Sequence, residues 1–290
     1  MRFEYLEPAN IPEAIALLER YDGKAKIIAG GTDLLVQMRR RTIKPEYVIN
    51  IGNIQGLDYI RYDENEELKI GALTTIRTLE RSAEVQQRYP VIPQAASRMA
   101  SVGVRNLATL GGNLCNAAPS ADTAPALIAL SARAKIVGPK GERVVLLEDF
   151  FTGPGSTILG KGEILTEIQV PVLQPRTGTT YLKHDIRGTL DLAIVGVAAA
   201  ITLEPRRELC QEAKVVLGAV APTPMRVRQA EEILKGKEID DTLIEKSAQV
   251  ASDESQPITD VRAPADYRSE MVKVFTRRAI KEALRLAKAA

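Results

Sequence analysis

The sequence predicts an α+β protein built from three consecutive units, at residues 1–55, 56–176 and 177–290. A chain of 290 residues is too long for one small hydrophobic core, so two or three domains are expected. Short apolar runs bounded by turn residues alternate with a few amphipathic segments up to about residue 176. The remainder begins with strand-like runs and ends with helix-like ones, which is typical of a sheet with helices on one face.

The first unit is predicted to be a small α/β domain. Residues 8–22 place apolar side chains on one helical face, at Ile11, Ala14, Ile15, Leu17 and Leu18. Asn10 can cap this helix, Pro12 suits its first turn, and Gly23 can end it. Two short apolar runs, at 25–31 and 47–53, predict buried strands.

The second unit is predicted to contain strands and one long helix. The helix is expected over residues 76–89. The strands are expected at 57–63, 67–75, 133–139, 141–151 and 163–172. A stretch rich in Pro, Gly and Thr at 173–180 predicts a linker to the third unit.

The third unit is predicted to begin with strands at 180–187, 191–203 and 212–220. Helices are expected at 227–237, 242–254 and 267–290. The last of these carries an apolar stripe formed by Met271, Val274, Phe275, Ile280 and Leu284. Such a stripe predicts that the final helix packs against the sheet.

Composition excludes several classes of function. The chain has 39 Lys and Arg against 37 Asp and Glu, a formal net charge of +2, which does not favour a nucleic-acid or anionic-membrane partner. Its longest uncharged apolar run, 192–201, is half of the roughly 20 residues that a membrane helix needs. Two cysteines and one histidine, His184, do not suit a disulfide framework, a zinc site or an iron–sulfur cluster. A cytoplasmic protein without a metal ion of its own is expected.

Two glycine pairs stand out because each follows an apolar run. Gly30-Gly31-Thr32 ends the predicted strand at 25–31, and Gly111-Gly112-Asn113 precedes a long uncharged stretch. Glycine lacks a Cβ and permits positive φ, so successive main-chain N–H groups can converge on an anion. Two such turns would suit a pyrophosphate and hence a dinucleotide, although a glycine pair is equally compatible with an ordinary tight turn. The P-loop and Rossmann fingerprints are both absent from the sequence.

The two segments together resemble a known family. The segments "AGGTDLLVQMR" (29–39) and "TLGGNLCNAAPSADTAPAL" (109–127) look like the two flavin signatures of the FAD-binding medium subunits of molybdenum hydroxylases, the xanthine dehydrogenase and carbon monoxide dehydrogenase group. Further stretches fit in the same order along the chain, at 70–75, 104–113, 162–171, 181–195, 217–226 and 260–268. The resemblance implies a two-part FAD domain of the vanillyl-alcohol-oxidase type, followed by a C-terminal α+β domain.

The resemblance also implies which residues contact FAD. The first signature would cradle the diphosphate through Ile27, Ile28, Ala29, Gly30, Gly31, Thr32, Asp33 and Leu34. The second would contribute Thr109, Leu110, Gly111, Gly112 and Asn113. Asp122 would accept hydrogen bonds from FAD, cap the following helix, or do both. Met99 and Leu165 match apolar contact positions but would serve equally well as plain core residues.

A second group of residues is expected near the flavin ring. By the resemblance, Lys183 lies at the pyrimidine edge, where a cation stabilises the reduced ring, and Arg187 and Asp191 belong to a loop bordering it. Leu192 stands where several relatives carry a shielding aromatic residue. Asp33 replaces a serine found in some relatives, and its carboxylate is expected to point away from the phosphates and bond main-chain N–H groups. The cysteine-rich insertion of hydroxybenzoyl-CoA reductases is missing, which argues against that branch.

The function implied by the resemblance is electron transfer, with no catalytic side chain on this chain. A large molybdopterin subunit would oxidise the substrate, and a small [2Fe-2S] subunit would pass the electrons to this FAD. An external acceptor would then take them, and the complex is expected to be a dimer of heterotrimers. Two alternatives stay open: a stand-alone flavin oxidase or reductase with the same FAD fold, and a non-catalytic scaffold or assembly subunit that binds no FAD.

Overall fold

In the computed structural model, residues 2–62, 67–188 and 190–290 are described. The first unit folds as a parallel sheet with the strand order β1-β3-β2. Its elements in chain order are β1 (Glu4–Leu6), α1 (Ile11–Arg20), β2 (Ala25–Ile28), α2 (Leu34–Arg40) and β3 (Tyr47–Asn50). The predicted first helix is confirmed: the Asn10 side chain accepts a hydrogen bond of 2.9 Å from the Glu13 N–H, and Pro12 lies in the first turn.

The second unit contains a sheet in the order β4-β5-β10-β6-β7, with short helices between β5 and β6. The strands are β4 (Ile60–Arg61), β5 (Leu68–Gly71), β6 (Arg133–Gly138), β7 (Gly141–Leu146), β8 (Phe151–Gly153), β9 (Ser156–Thr157) and β10 (Ile164–Val170). The helices are α3 (Ile76–Arg81), α4 (Ala83–Arg88), α5 (Val91–Ser97), α6 (Val102–Arg105), α7 (Leu110–Asn116) and α8 (Thr123–Ala129).

Three predictions in this unit are wrong in detail. The strand predicted at 67–75 ends at Gly71. The single helix predicted at 76–89 is divided at Ser82, which takes an extended conformation and accepts a hydrogen bond from the Val85 N–H as the cap of α4. The strand predicted at 141–151 ends at Leu146, and a short 3₁₀ turn follows at Leu147–Asp149. Residue 63, at the end of the strand predicted at 57–63, lies outside the described residues.

The third unit is an antiparallel sheet in the order β11-β12-β13-β14, against which the last helix packs. Its elements are β11 (Thr177–His184), β12 (Val195–Leu203), β13 (Cys210–Gly218), β14 (Met225–Arg226), α9 (Arg228–Leu234), α10 (Asp241–Glu254) and α11 (Ala265–Ala289). Gly178 permits this packing, because a Cβ there would come within 2.0 Å of the Ala283 carbonyl oxygen. Ile280 is fully buried, while Met271, Phe275 and Leu284 pack at the edge of the same core.

The second and third units share a hydrophobic core. Every residue of α8 is buried, and the core around it includes Tyr181, Ala198, Ala200 and Val216 from the third sheet. This shared core fixes β11, and the loop that follows it, against the helices of the second unit. No helix in the described part of the chain is both long and apolar enough to cross a membrane.

Candidate functional site

The two glycine-rich turns lie against each other. A Cβ on Gly30 would come within 1.9 Å of the Leu107 carbonyl oxygen and 3.1 Å of the Ala108 Cα. Only a hydrogen atom at position 30 allows the turn after β2 to approach the segment that leads into Thr109. The contact closes one side of a cleft with a volume of about 660 Å³.

The cleft gathers nearly all the residues predicted to bind the cofactor. It is lined by Ile27, Ile28, Ala29, Gly30, Gly31, Thr32, Asp33, Leu34, Met99, Thr109, Gly111, Gly112, Asn113, Asp122, Leu165, Asp191 and Leu192. Leu110 and Lys183 do not line it: Leu110 is fully buried, and Lys183 lies behind Asp122 and Asp191. Residues from all three units therefore form the wall of one cleft.

The first glycine turn presents free main-chain donors to the cleft. Within the part of the chain that the structure describes, the N–H groups of Gly30, Gly31, Thr32 and Asp33 donate no hydrogen bond. The Thr32 hydroxyl group has no hydrogen-bond partner there either, and Gly31 has a φ of 71°. Consecutive unpaired N–H groups in such a turn form an anion-binding concavity.

The second glycine turn is different, because its N–H groups are already used. Those of residues 110–113 donate to Thr74 O, Ala72 O, Thr109 Oγ1 and Thr109 O, at 2.8–3.1 Å. The expectation that this turn also offers converging N–H groups is therefore wrong. Gly111 serves close packing instead, since a Cβ there would lie 2.8 Å from both the Cβ and the carbonyl oxygen of Ala72. The Asn113 side chain accepts a 2.6 Å hydrogen bond from Thr123 at its Oδ1, and its NH2 group has no partner among the described residues.

Asp122 and Lys183 form a buried ion pair behind the cleft. The Lys183 Nζ lies 3.0 Å from Asp122 Oδ2 and also donates to the carbonyl oxygens of Arg98, at 2.9 Å, and Asp191, at 2.8 Å. All three ammonium hydrogens are thus used inside the protein. The other carboxylate oxygen, Asp122 Oδ1, accepts a 2.8 Å hydrogen bond from Tyr181. Burial raises the pKa of Asp122 above its ordinary value, while the nearby Lys183 charge lowers it.

Asp122 does not cap the helix that follows it. It has helical backbone angles, and its side chain makes no capping hydrogen bond to α8. Both of its carboxylate oxygens are turned toward β11, where Tyr181 and Lys183 hold them. The capping alternative for Asp122 is therefore wrong, and its carboxylate belongs to the buried network.

The loop between β11 and β12 borders the cleft and is tied down at several points. Lys183 holds the Asp191 carbonyl, and Arg98 pairs with Asp185 at 2.9 Å. The Asp191 carboxylate accepts hydrogen bonds from the Leu192 N–H, at 3.0 Å, and from Arg187. Leu192, which is 49% exposed, lines the cleft.

The Asp33 side chain does not make the main-chain hydrogen bonds expected of it. Its side chain makes no capping bond to α2 and no other hydrogen bond in the described part of the chain. The expected bonding to main-chain N–H groups is therefore wrong. Desolvation raises the pKa of the Asp33 carboxyl group above its ordinary value. The residue that directly follows the glycine turn therefore carries a carboxyl group without a hydrogen-bond partner in the described part of the chain.

Sequence reasoning missed several residues of the cleft wall. Arg105 supports the wall from behind: its guanidinium donates to the carbonyl oxygens of Met99, at 2.8 Å, and Ala100, at 3.2 Å, and pairs with Glu80 at 2.8 Å. Nothing in the sequence distinguishes this arginine from an exposed one. Residues missed in the wall itself include Lys26, Gln37, Ile43, Ala72, Cys115, Asn116, Ser120, Glu163 and Leu190.

Two family models together match most of the chain. Residues 1–173 match the FAD binding domain in molybdopterin dehydrogenase, and residues 180–283 match the CO dehydrogenase flavoprotein C-terminal domain. The chain is 33% identical to the glyceraldehyde dehydrogenase medium chain of Sulfolobus acidocaldarius over 97% of this chain and 98% of that protein. It is 32% identical to the xanthine dehydrogenase FAD-binding subunit of Escherichia coli O157:H7 over 97% and 95%.

The solved structures agree with the sequence relatives. A chain of carbon monoxide dehydrogenase from Hydrogenophaga pseudoflava superposes with a TM-score of 0.94 at 35% identity, covering 98% of this chain and 97% of that one. These matches confirm the predicted fold class and identify FAD as the cofactor that the N-terminal part of the chain binds. The chain belongs to the FAD-binding medium subunits of the molybdenum hydroxylase family.

Proposed function

We propose that this chain carries electrons through FAD within a multi-subunit molybdenum hydroxylase. It would accept them from the [2Fe-2S] clusters of a small partner subunit and pass them to an external acceptor, while a large partner subunit oxidises substrate at molybdopterin. The observation that carries the proposal is the cleft in which a turn of unpaired N–H groups meets a second, closely packed glycine turn.

The residues present fit FAD in chemistry as well as in volume. The free N–H groups of residues 30–33 would hold the diphosphate, since uncharged main-chain donors bind phosphate where no side chain intervenes. Met99, Leu165 and Leu192 supply an apolar wall of the kind a flat aromatic ring requires. When bound, a flavin supplies both one-electron and two-electron redox chemistry, and the protein supplies position and electrostatics.

Three titratable groups of the cleft, Asp122, Glu163 and Cys115, are unsuited to substrate chemistry on this chain. Asp122 is paired with Lys183, and Glu163 is paired with Arg143 at 2.7 Å. Burial raises the pKa of the Cys115 thiol to about 12, so it is not a thiolate nucleophile near neutral pH. Groups already committed to internal partners are poor candidates for a general base or nucleophile.

Purification with the neighbouring subunits tests this function. We expect the chain to co-purify, FAD-bound, with a large molybdopterin-containing chain and a small [2Fe-2S] chain, as a dimer of heterotrimers. Chemical reduction of the clusters under anaerobic conditions should then bleach the flavin absorbance band faster in the complex than in the isolated chain. Equal rates of bleaching, or a flavin chain that oxidises a substrate without partners, would contradict the proposal.

Replacing Asp33 with asparagine should tighten FAD binding. Asp33 lines the cleft and directly follows the glycine turn, so the negative charge of its carboxylate would oppose a diphosphate held by that turn. Removing one such partly screened repulsion should lower the Kd for FAD by about three- to tenfold. Because the Asp33 pKa is raised, wild-type affinity should fall as pH rises through that pKa, and the Asn variant should lack this fall.

The matched control for that measurement is Asp58→Asn. Asp58 is exposed, does not line the cleft, and gives the same change in net charge. FAD affinity measured by fluorescence quenching across the acidic to neutral range should be unchanged by the control. Equal or weaker FAD binding in the Asp33 variant would show that its carboxyl group does not face the diphosphate.

A further inference from the structure

Arg105 is a buried cation that reaches the main chain of the cleft wall from behind. Its side chain is 8% exposed and lies outside the cleft, where it pairs with both carboxylate oxygens of Glu80, at 2.8 and 3.2 Å. Its Nη1 donates to the carbonyl oxygens of Met99, at 2.8 Å, and Ala100, at 3.2 Å. Glu80 has a second cation, Arg77, at 2.9 Å. Balancing the Glu80 charge therefore does not account for the two bonds to the cleft wall.

Ala100 lies in a backbone conformation that residues with a Cβ disfavour. Its φ is 43°, in the left-handed region. Arg105 bonds the carbonyl oxygen before this residue and the one that belongs to it, so one guanidinium fixes both peptide groups that flank Ala100. Lys183 fixes the carbonyl before these, that of Arg98, at 2.9 Å. Two buried cations thus hold three consecutive carbonyl oxygens, and such over-determination is what allows a strained turn to persist.

The held carbonyls determine where the Ala100 N–H group points. In a trans peptide, such as the one joining Met99 to Ala100, the C=O and the N–H point in opposite directions. The Met99 carbonyl points to Arg105, which lies outside the cleft, so the Ala100 N–H points to the opposite side, where Met99 and Ala100 line the cleft. This N–H donates no hydrogen bond within the described residues. A free main-chain donor therefore faces the cleft beside the Met99 side chain.

We propose that Arg105 is a positioning residue for the flavin: by holding the Met99 and Ala100 carbonyls, it aims the Ala100 N–H at a carbonyl oxygen of the pyrimidine ring. Met99 belongs to the apolar wall proposed for the flat ring, so a donor next to it would meet the polar edge of that ring. The inference rests on the proposed function, because it takes the cleft as the place where FAD lies. Reduction adds electron density to the ring oxygens, so a fixed donor there binds the reduced ring more tightly than the oxidised ring.

The first test replaces Arg105 with methionine in the full chain. Binding of oxidised FAD should weaken about fivefold and binding of reduced FAD about 50-fold, because a hydrogen bond to a charged acceptor is the stronger one. The roughly tenfold difference corresponds to a midpoint potential lower by about 30 mV for a two-electron couple. Fluorescence titration with oxidised FAD, anaerobic titration with reduced FAD and equilibration with a redox dye measure these three quantities.

The matched control is Arg77→Met. It removes the other cation of Glu80 and gives the same change in charge, but the Arg77 side chain bonds no main-chain carbonyl in the part of the chain that the structure describes. Both dissociation constants should stay within about twofold of wild type, since Arg105 still pairs with Glu80 and still holds the Met99 carbonyl.

The second test needs no variant. Because the Ala100 N–H is free in the chain alone, its hydrogen exchange should slow at least about tenfold when FAD binds. The Asn106 N–H, which already bonds the Val102 carbonyl at 3.0 Å, is the internal reference and should slow by less than about threefold. If Arg105→Met does not fold, this measurement decides alone.

Three outcomes would overturn the inference: a folded Arg105→Met chain with the wild-type potential, a potential that rises in that variant, or an Ala100 N–H that exchanges equally fast with and without FAD. Failure of the proposed FAD site looks different, because Gly30→Ala would then leave FAD binding intact. Loss of FAD in the Gly30 variant, together with an unchanged potential in the Arg105 variant, would refute the positioning role and leave the site in place.

Discussion

Replacing Gly30 with alanine should abolish retention of FAD. The added Cβ would lie 1.9 Å from the Leu107 carbonyl oxygen, a main-chain atom that cannot rotate away. The two glycine turns must therefore separate by more than about an ångström, which moves the free N–H groups of the first turn away from the second. A loss of at least about 3 kcal/mol in binding would raise the Kd more than 100-fold. Flavin content after gel filtration measures the effect.

Control glycines separate this effect from a general loss of flexibility. Gly153→Ala should retain FAD, because a Cβ at position 153 would meet nothing within 4 Å and its φ is not positive. Gly111→Val should behave like the Gly30 variant, since a side chain there collides with Ala72 in the floor of the cleft. A folded Gly30→Ala chain with normal flavin content would refute the idea that contact between the turns forms the site.

The positions of the glycine turns could be predicted from the sequence, but the different roles of their main-chain N–H groups could not. Both pairs follow apolar segments, and each was expected to offer N–H groups to an anion. In the structure the second turn bonds its N–H groups to Ala72, Thr74 and Thr109. The Thr109 bonds are the local cap of α7, but the Ala72 and Thr74 carbonyl oxygens become available only when the residues after β5 lie alongside α7, and that arrangement depends on tertiary packing.

The same limit applies to the strand predicted at 191–203, which begins only at Val195. The apolar pattern continues back through Leu192 to Ile194, so local preference favours strand there. Distant side chains override it: Lys183 takes the Asp191 carbonyl, and Arg268 donates a 2.8 Å hydrogen bond to the Ile194 carbonyl. Because the carbonyl oxygens of Asp191 and Ile194 are bonded to side chains, they do not bond β11. Residues 191–194 therefore form part of the loop at the cleft.

The burial of the Lys183 charge could not be predicted from the sequence, and its place at the flavin edge stays a prediction. The resemblance placed it near the flavin, and the structure places it one side chain behind the cleft, with its ammonium enclosed by Asp122 and two carbonyls. A sequence reports the presence of a lysine but not the burial of its charge. Here the side chain is 1% exposed, so Lys183 must also be considered as part of the core.

Replacing Lys183 with methionine should destabilise the fold strongly. The substitution leaves the Asp122 carboxylate buried without its cation, and breaking a buried pair in this way costs about 3–5 kcal/mol. For a chain of this size the Tm should fall by roughly 10 °C. Without the lysine charge, the pKa of Asp122 in the folded state rises further above its unfolded value. The folded variant then binds the extra proton, so its stability should be greatest at acidic pH and decline as pH rises.

A second variant distinguishes the ion pair from a simple packing effect. Lys183→Met combined with Asp122→Asn removes both charges, and Asn can still accept the hydrogen bond from Tyr181. Most of the lost stability should therefore be recovered, and the added pH dependence of stability should disappear.

The flavin midpoint potential provides an independent readout. At a pH above the raised Asp122 pKa, the single variant leaves an unbalanced negative charge at the cleft wall, which should lower the potential on the order of 30 mV, or about 1.4 kcal/mol for a two-electron couple, whereas the double variant should lie near wild type. Equal potentials in all three proteins would show that Lys183 acts on stability alone.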